Sequence, residues 1–326
     1  MSLFEPLALL THPVLQPFWV LVVVVAIDQL WAWPDKYHPL SLAKLLAIRM
    51  ANKVHPTYSH RDPQRSKMQQ KISGTLGFLI LIAPFITILA ILISFAHFPL
   101  FFEAVLLLMA IQFQVIIKQS SKVSDALVKQ KKALARHLVS NLILRETENL
   151  SPVGIAKASI ESLLLRFNQQ FFTVIFWYFI FGGIGALTYR LLYEFSHCWN
   201  TKIQRFTYFG SPLAQLVAVL QWLPVRLAAL ALILGQDIGA AIKAYRNLPK
   251  HKNTHMLLLA LQGGALGIEL SGPSYYNKVK VRSPKCGGER VVRHIDIKRS
   301  ISAVQKAKII ILVVCFLLAA IFYAWR

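Results

Sequence analysis

The sequence predicts an all-α polytopic membrane protein: about six transmembrane helices with amphipathic helices on the cytoplasmic face, forming a single integral membrane domain over residues 1–326. Three observations carry that prediction. Hydrophobic residues make up 56% of the chain and charged residues 15%, where a soluble domain carries about 25% charge. Such a chain, with a mean hydropathy of +0.51, has too little polar surface to face water. Apolar runs of about 20 residues, the length a helix needs to cross the hydrocarbon, recur along it. The third observation is charge sorting: of 36 Lys and Arg, 30 lie in three loops, with 8 in residues 35–72, 9 in 118–169 and 13 in 236–307.

The elements follow in order. The first eleven residues carry Glu5 and no Lys or Arg, the reverse of a signal-peptide n-region. The first span is expected at 14–34, with Trp31 and Trp33 at its interfacial end. In 40–54, Leu42, Leu45, Leu46 and Met50 share one helical face, away from Lys44, Arg49 and Lys53, which suits a helix lying in the interface. Spans at 74–96 and 98–117 form a tight hairpin about His97 and Phe98. Residues 124–144 repeat apolar positions at Leu127, Leu134, Leu138 and Leu142, and Ser151-Pro152 opens a further helix to about residue 166. A span at 171–193 contains the cluster Gly182-Gly183-Ile184-Gly185-Ala186, which permits close helix approach. Another span follows at 212–235. The stretch 256–272 is apolar but glycine-interrupted, and reads as a buried or re-entrant segment. The last span is 308–325.

Orientation follows from the positive-inside rule. The three basic loops are assigned to the cytoplasm. The N-terminus and the 194–211 loop, with only Lys202 and Arg205, go outside. The formal net charge of +22 is then a matter of topology, with anionic lipid head groups as its counter-surface. No aromatic-interleaved basic motif of a nucleic-acid binder is present, so no nucleic-acid partner is expected.

Charged residues inside apolar segments are functional candidates by default. Asp28 ends the first span; Arg226 follows the helix-breaking Pro224; Arg190 and Glu194, four apart, either pair along their helix or snorkel to the interface. Cys198, Cys286 and Cys315 are too scattered for a disulfide framework or a zinc site. His251 and His255 have no third ligand, so no metal site is expected. The run Gly263-Gly264-Ala265-Leu266-Gly267 lacks the Lys and Ser/Thr of a phosphate loop. No internal repeat points to a transporter.

The order of landmarks resembles the CobD/CbiB family of cobalamin biosynthesis over nearly the whole chain. Trp33-Pro34 and His38-Pro39 precede a helix; Arg145-Glu146-Thr147 stands where the family has Arg-Asp-Thr, and Glu161-Ser162 follows at its Glu-Ser/Thr position. Then come Gly182 to Arg190, Trp222 to Leu227, Gly263 to Tyr276 and Asp296-Ile297. The resemblance implies an inner-membrane enzyme that joins an aminopropanol unit to cobyric acid, giving cobinamide or its phosphate, with ATP and Mg2+ as cofactors. It implies catalytic roles for Arg145, Glu146 and Glu161. It implies substrate contacts from His38, Gly272, Pro273, Tyr276, Lys278 and Lys280, and a corrinoid as small-molecule partner; oligomerisation is left open.

The chain departs from the family where relatives carry acids. Leu165, Arg166, Gln169 and Gln170 stand for acidic, amide, acidic and glycine positions; Tyr193 to Cys198, Gln215 to Ala218 and Leu259 depart similarly. The carboxylates left in register are Glu146, Glu161 and Asp296, which a working synthase should bring together. The alternative is a non-catalytic membrane scaffold or signalling modulator, as in the AmpE branch, which looks like a similarly eroded form of this scaffold.

Overall fold

The computed structural model describes residues 12–13, 15–34, 37–55, 63–249, 254–276 and 279–325. The described chain is mostly helical. It departs from the all-α expectation in four three-residue strands, two antiparallel pairs. Among the described residues, four helical stretches are long and apolar enough to cross a membrane: Gln64–Ser94, Pro99–Val128, Pro152–Cys198 and His294–Ala324. The pair Ser211–Leu220 and Trp222–Ile233, bent by 52°, makes a fifth if counted as one span; Gln16–Leu30 is apolar but shorter. Two compact units divide the chain, one of residues 1–112, 173–220 and 315–326, the other of 113–172 and 221–314.

In the first unit, α1 (Gln16–Leu30) leads to α2 (Pro39–Val54), whose start is fixed by Pro39 at its first position and by the His38 ring, which accepts the Leu40 N–H at 3.2 Å. α3 (Pro63–Ser94) and α4 (Pro99–Ala110) follow, broken at 95–98 as the hairpin expectation requires. α8 (Thr173–Cys198) is interrupted at Phe181 (φ −128°) and Gly182 (φ 66°, ψ −164°), a conformation that only glycine adopts without strain. The backbone doubles back there. A Cβ on Gly185 would lie 3.0 Å from the Trp177 carbonyl, eight residues earlier. The turn is braced by α4, where the Glu103 carboxylate accepts the Gly183 N–H.

The 194–211 connection was expected on the face opposite residues 35–72, yet it packs against α2. Trp199, fully buried, donates its indole N–H to the Ala47 carbonyl at 3.0 Å. Arg205 reaches Asn52 at 2.9 Å, the Arg205 carbonyl meets the His55 ring at 2.7 Å, and Lys44 pairs with Glu194 at 3.4 Å. Ala47, Ala51, Phe78, Phe195, Trp199, Phe209 and Leu213 make the core of this end. α9 (Ser211–Leu220) runs from there until the Leu220 carbonyl meets the Trp177 indole at 3.3 Å. The segment read as a single span is therefore a helical hairpin. Its turn, capped by a carboxylate from another helix, carries no polar residue that hydropathy could register.

Arg190 and Glu194 do not snorkel. They pair at 2.7 Å with side chains 1% and 2% exposed, and Gln112 approaches the Arg190 guanidinium at 3.5 Å.

In the second unit, the helix expected over 124–144 is split into α5 (Gln114–Val128) and α6 (Lys132–Ser140), with Gln130 at φ 55° between them. α7 (Pro152–Arg166) ends where expected, and its Ser151 hydroxyl accepts the Gly154 N–H at 3.1 Å. A π-helical turn, Phe167–Phe172, follows. α10 (Trp222–Ile233) satisfies Arg226 locally, through the Trp222 carbonyl and ring. α11 (Ile238–Arg246) crosses α12 (Thr254–Ala265) so closely that a Cβ on Gly264 would sit 2.6 Å from that of Ala244. The 256–272 stretch thus divides: α12 is buried along most of its length, and β1 (Glu269–Ser271) pairs antiparallel with β4 (Lys285–Gly287). β2 (Ser274–Tyr276) pairs with β3 (Val279–Val281), and α13 (His294–Ala324) closes the chain.

Candidate functional site

The site residues of the second unit gather around the β1–β2 turn. On α7, Lys157 and Glu161 are four residues apart and so share one helical face. That face meets the end of β1, where Ser271 (φ 62°) and Gly272 (φ 118°) are both left-handed. A non-glycine residue at positive φ is costly, and Ser271 is held by the Glu161 carboxylate, which accepts its N–H at 2.7 Å. The other Glu161 oxygen pairs with Arg145 at 3.0 Å, with side chains 11% and 15% exposed. Arg145 also donates to the Ser274 hydroxyl at 3.0 Å, and the Glu146 N–H donates to the Tyr275 carbonyl at 3.0 Å, stitching 145–146 onto β2. The Arg145 Nε is buried and has no hydrogen-bond partner among the described residues.

Beside this pair, Glu269 bridges two ammoniums, Lys157 at 3.1 Å and Lys285 at 3.0 Å. Burial raises the Glu269 pKa, but hydrogen bonds and charge from Lys285 and Lys157 outweigh it, leaving the carboxyl below its ordinary value. A Cβ on Gly272 would stand 3.7 Å from the Lys157 ammonium, in ordinary contact, so it is the positive φ of 118° and not want of space that calls for glycine beside the cations. The Cys286 thiol lies next to these charges, and burial, with Glu161 adding to it, pushes its pKa up to about 12. Three cations against two carboxylates leave a positive cradle, suited to holding an anionic group.

The structure brings together Arg145, Glu161, Gly272 and Pro273 from the sequence expectation. Tyr276 lies on β2, and exposed Lys280 on β3 has its ammonium 6.0 Å from the Tyr275 ring centre. Lys278 lies outside the described residues. His38 belongs to the other unit, where it caps α2. The expected convergence of Glu146, Glu161 and Asp296 does not occur. Asp296 is fully buried against Arg290, at 2.8 and 3.0 Å, and the Arg293 N–H, at 2.8 Å, so it organises the start of α13. Among the described residues no group of three or more His, Cys, Asp or Glu could hold a metal ion. Sequence reasoning missed Lys157, Glu269, Lys285 and Ser274; the i, i+4 pair Lys157 and Glu161 was the signal available for the first of them.

A family model described as CobD/Cbib protein matches residues 21–304. A protein of Chromobacterium violaceum called "Cobalamin biosynthesis protein CobD" is 27% identical over 88% of this chain and 91% of its own length. One of the same description from Stutzerimonas stutzeri is 26% identical over 86% and 91%. A "Probable cobalamin biosynthesis protein CobD" of Thermococcus kodakarensis is 27% identical over 82% and 84%. No solved structure matches the chain. With the family model covering most of its length, this chain belongs to the CobD/CbiB family.

Proposed function

We propose that this chain acts in cobalamin biosynthesis, attaching an aminopropanol arm to a propionate of a corrinoid such as cobyric acid to give cobinamide or its phosphate. The observation that carries this reading is the cradle at the β1–β2 turn. Arg145 and Glu161, in register with the family's motifs, lock the turn, while Lys157 and Lys285 flank it. Those cations suit an anionic phosphate on either the aminopropanol or a nucleotide. Fixed donors near developing negative charge need no reorganisation during reaction. ATP, when bound, would supply the activation that amide formation from a carboxylate requires. The described residues do not form a Mg2+ cage, since Glu161 and Glu269 are each committed to cations and no group of three or more His, Cys, Asp or Glu is found among them. The roles assigned to this chain's residues are therefore anion binding by Arg145, Lys157 and Lys285, and orientation of the turn by Glu161. The protein resides in the bacterial inner membrane with its basic loops cytoplasmic, where a soluble corrinoid can reach the cradle.

The test is rescue of a corrinoid auxotroph blocked at this step. The wild-type gene should restore growth without added cobinamide, and Glu161→Ala should abolish it. A wild-type gene that inserts normally yet fails to rescue supports the second reading, a scaffold or signalling modulator. The departures at Leu165 and Gln169, which stand at acidic positions of the family, and at Arg166 and Gln170, at its amide and glycine positions, favour that alternative; Arg166 is spent on the Leu142 carbonyl at 3.0 Å.

A further inference from the structure

We infer that α2 and the 194–210 connection together form one cationic, lipid-binding surface on a single face of the membrane, and that its partner is a leaflet carrying anionic head groups. The inference is independent of the proposed reaction. It rests on the first unit alone.

The two segments are bound to each other by the Trp199–Ala47, Arg205–Asn52, His55–Arg205 and Lys44–Glu194 contacts. The lower turns of α3 join them: a Cβ on Gly74 would lie 1.9 Å from the Phe209 carbonyl oxygen, and one on Gly77 3.6 Å from the Trp199 ring. From Gly74, α3 runs 20 residues to Ser94, about 30 Å at 1.5 Å per residue, which matches the hydrocarbon thickness. The limb 183–198 returns over about 24 Å by the same rise. Its turn at Phe181–Gly182 is tied to Glu103, four residues into α4, next to the 95–98 connection. One end of the unit therefore carries α2 and 194–210, and the other carries 95–98 and 181–182.

The chemistry of the two ends differs accordingly. The far end exposes Phe95, Phe98, Phe179, Ile180 and Phe181 and has no Lys or Arg. The near end exposes Arg49, Lys53, Arg65, Lys71, Lys202 and Arg205, and the one acid among the described residues of its segments, Glu194, is buried against Arg190 and Lys44. α2 packs Leu40, Ala47 and Ala51 inward at 0–1% exposure while Leu42, Leu45, Leu46 and Ile48 stay 43–61% exposed. An apolar stripe bordered by cations on a helix already docked by its other face is the pattern of an element immersed at the head-group level of an anionic leaflet. Lys202 and Arg205, which the sequence leaves as exceptions outside, then join the basic residues of α2 and the first turns of α3 on one face.

The experiment uses the wild-type chain in sealed vesicles of each orientation, treated with a membrane-impermeant amine reagent and mapped by mass spectrometry. Lys202 should be modified in the same vesicles as Lys53 and protected in the others. Modification of Lys202 from the side opposite to Lys53 overturns the inference. A His97→Cys variant, read with an impermeant maleimide against the wild-type background, should label from the side opposite to Lys202; labelling from the same side overturns it as well. For the partner, phosphatidylglycerol retained through purification is compared between wild type and an Arg49→Gln/Lys53→Gln/Arg205→Gln variant with unchanged circular dichroism. Retention should fall by about fivefold for each cation in contact. Unchanged retention overturns the lipid assignment and leaves the sidedness result standing by itself.

Discussion

Glu161 and Arg145 form the joint of the cradle, and a double-mutant cycle measures it. Their 3.0 Å contact lies between side chains 11% and 15% exposed, so each charge depends on the other more than on water. Glu161→Ala leaves the guanidinium with the Ser274 hydroxyl and strips the acceptor from Ser271, whose backbone stands at φ 62°. Removing one member of a buried pair costs about 3–5 kcal/mol, and the residual exposure here argues for the lower end, about 3 kcal/mol. Arg145→Ala should cost about 2 kcal/mol, because Glu161 retains the Ser271 N–H. The double variant strands no charge and should also lose about 3 kcal/mol, leaving a coupling of about 2 kcal/mol. The assay is reversible unfolding in mixed micelles under one set of conditions for all four proteins. A coupling below about 0.5 kcal/mol, the scatter expected of independent sites, refutes the pairing and with it the preorganised turn.

Three further outcomes follow from other contacts. Gly74→Ala forces a methyl carbon onto the Phe209 carbonyl at 1.9 Å; with backbone unable to yield cheaply, stability should drop by about 1–3 kcal/mol, and limited proteolysis should newly cut within 199–210. The Cys286 thiol, pushed up to about 12, is neutral at pH 8, so its alkylation by iodoacetamide should be at least tenfold slower in the folded protein than after denaturation; equal rates would contradict its burial. Glu269 has its pKa lowered in the fold, so its pairing stabilises fully above the unfolded carboxyl value of about 4.3 and is lost as pH falls through the folded value. Unfolding scans should show a decline below about pH 4.3 that is weakened in Glu269→Gln; an unchanged acid profile would remove Glu269 from the account.

What was legible in the sequence was whatever rests on local pattern. The Ser151-Pro152 start and Arg166 end of α7, the amphipathic α2 and the break at 95–98 all came from caps, prolines and periodicity, and all are present. The hairpin within α8 was not legible. A turn normally announces itself by polar residues, and this one runs through Phe181 and Gly182, with its first free N–H satisfied by Glu103 from 80 residues away. The strands were hidden for a related reason. Three-residue pairings such as Leu270 with Cys286 are too short to show a period of two, and they form because α12 and β4 bury each other's glycines, Gly263 against Gly287.

The same distinction explains why the candidate site was half seen. Motif order gave Arg145 and Glu161, since both sit in recognisable runs, but it also put Asp296 beside them, where the structure gives it to Arg290. A carboxylate six residues from an arginine and three from a turn N–H satisfies itself locally, and no remote motif can reveal that. Conversely, Lys157, Lys285 and Glu269 come from α7, β4 and β1, and meet because an antiparallel pair sets Ser271 opposite Lys285 while the α7 face lies against β1. Along 165–170, where the family resemblance leads one to expect acids at 165 and 169, the chain has Leu165 and Gln169, both half-buried; their neighbours Asn168 and Gln170 are 1% and 3% exposed within the π-helical turn, and Arg166 holds the Leu142 carbonyl. The carboxylates paired within the cradle among the described residues are Glu161 and Glu269. Both are held by cations, Glu161 by Arg145 and Glu269 by Lys157 and Lys285, and both anchor the turn.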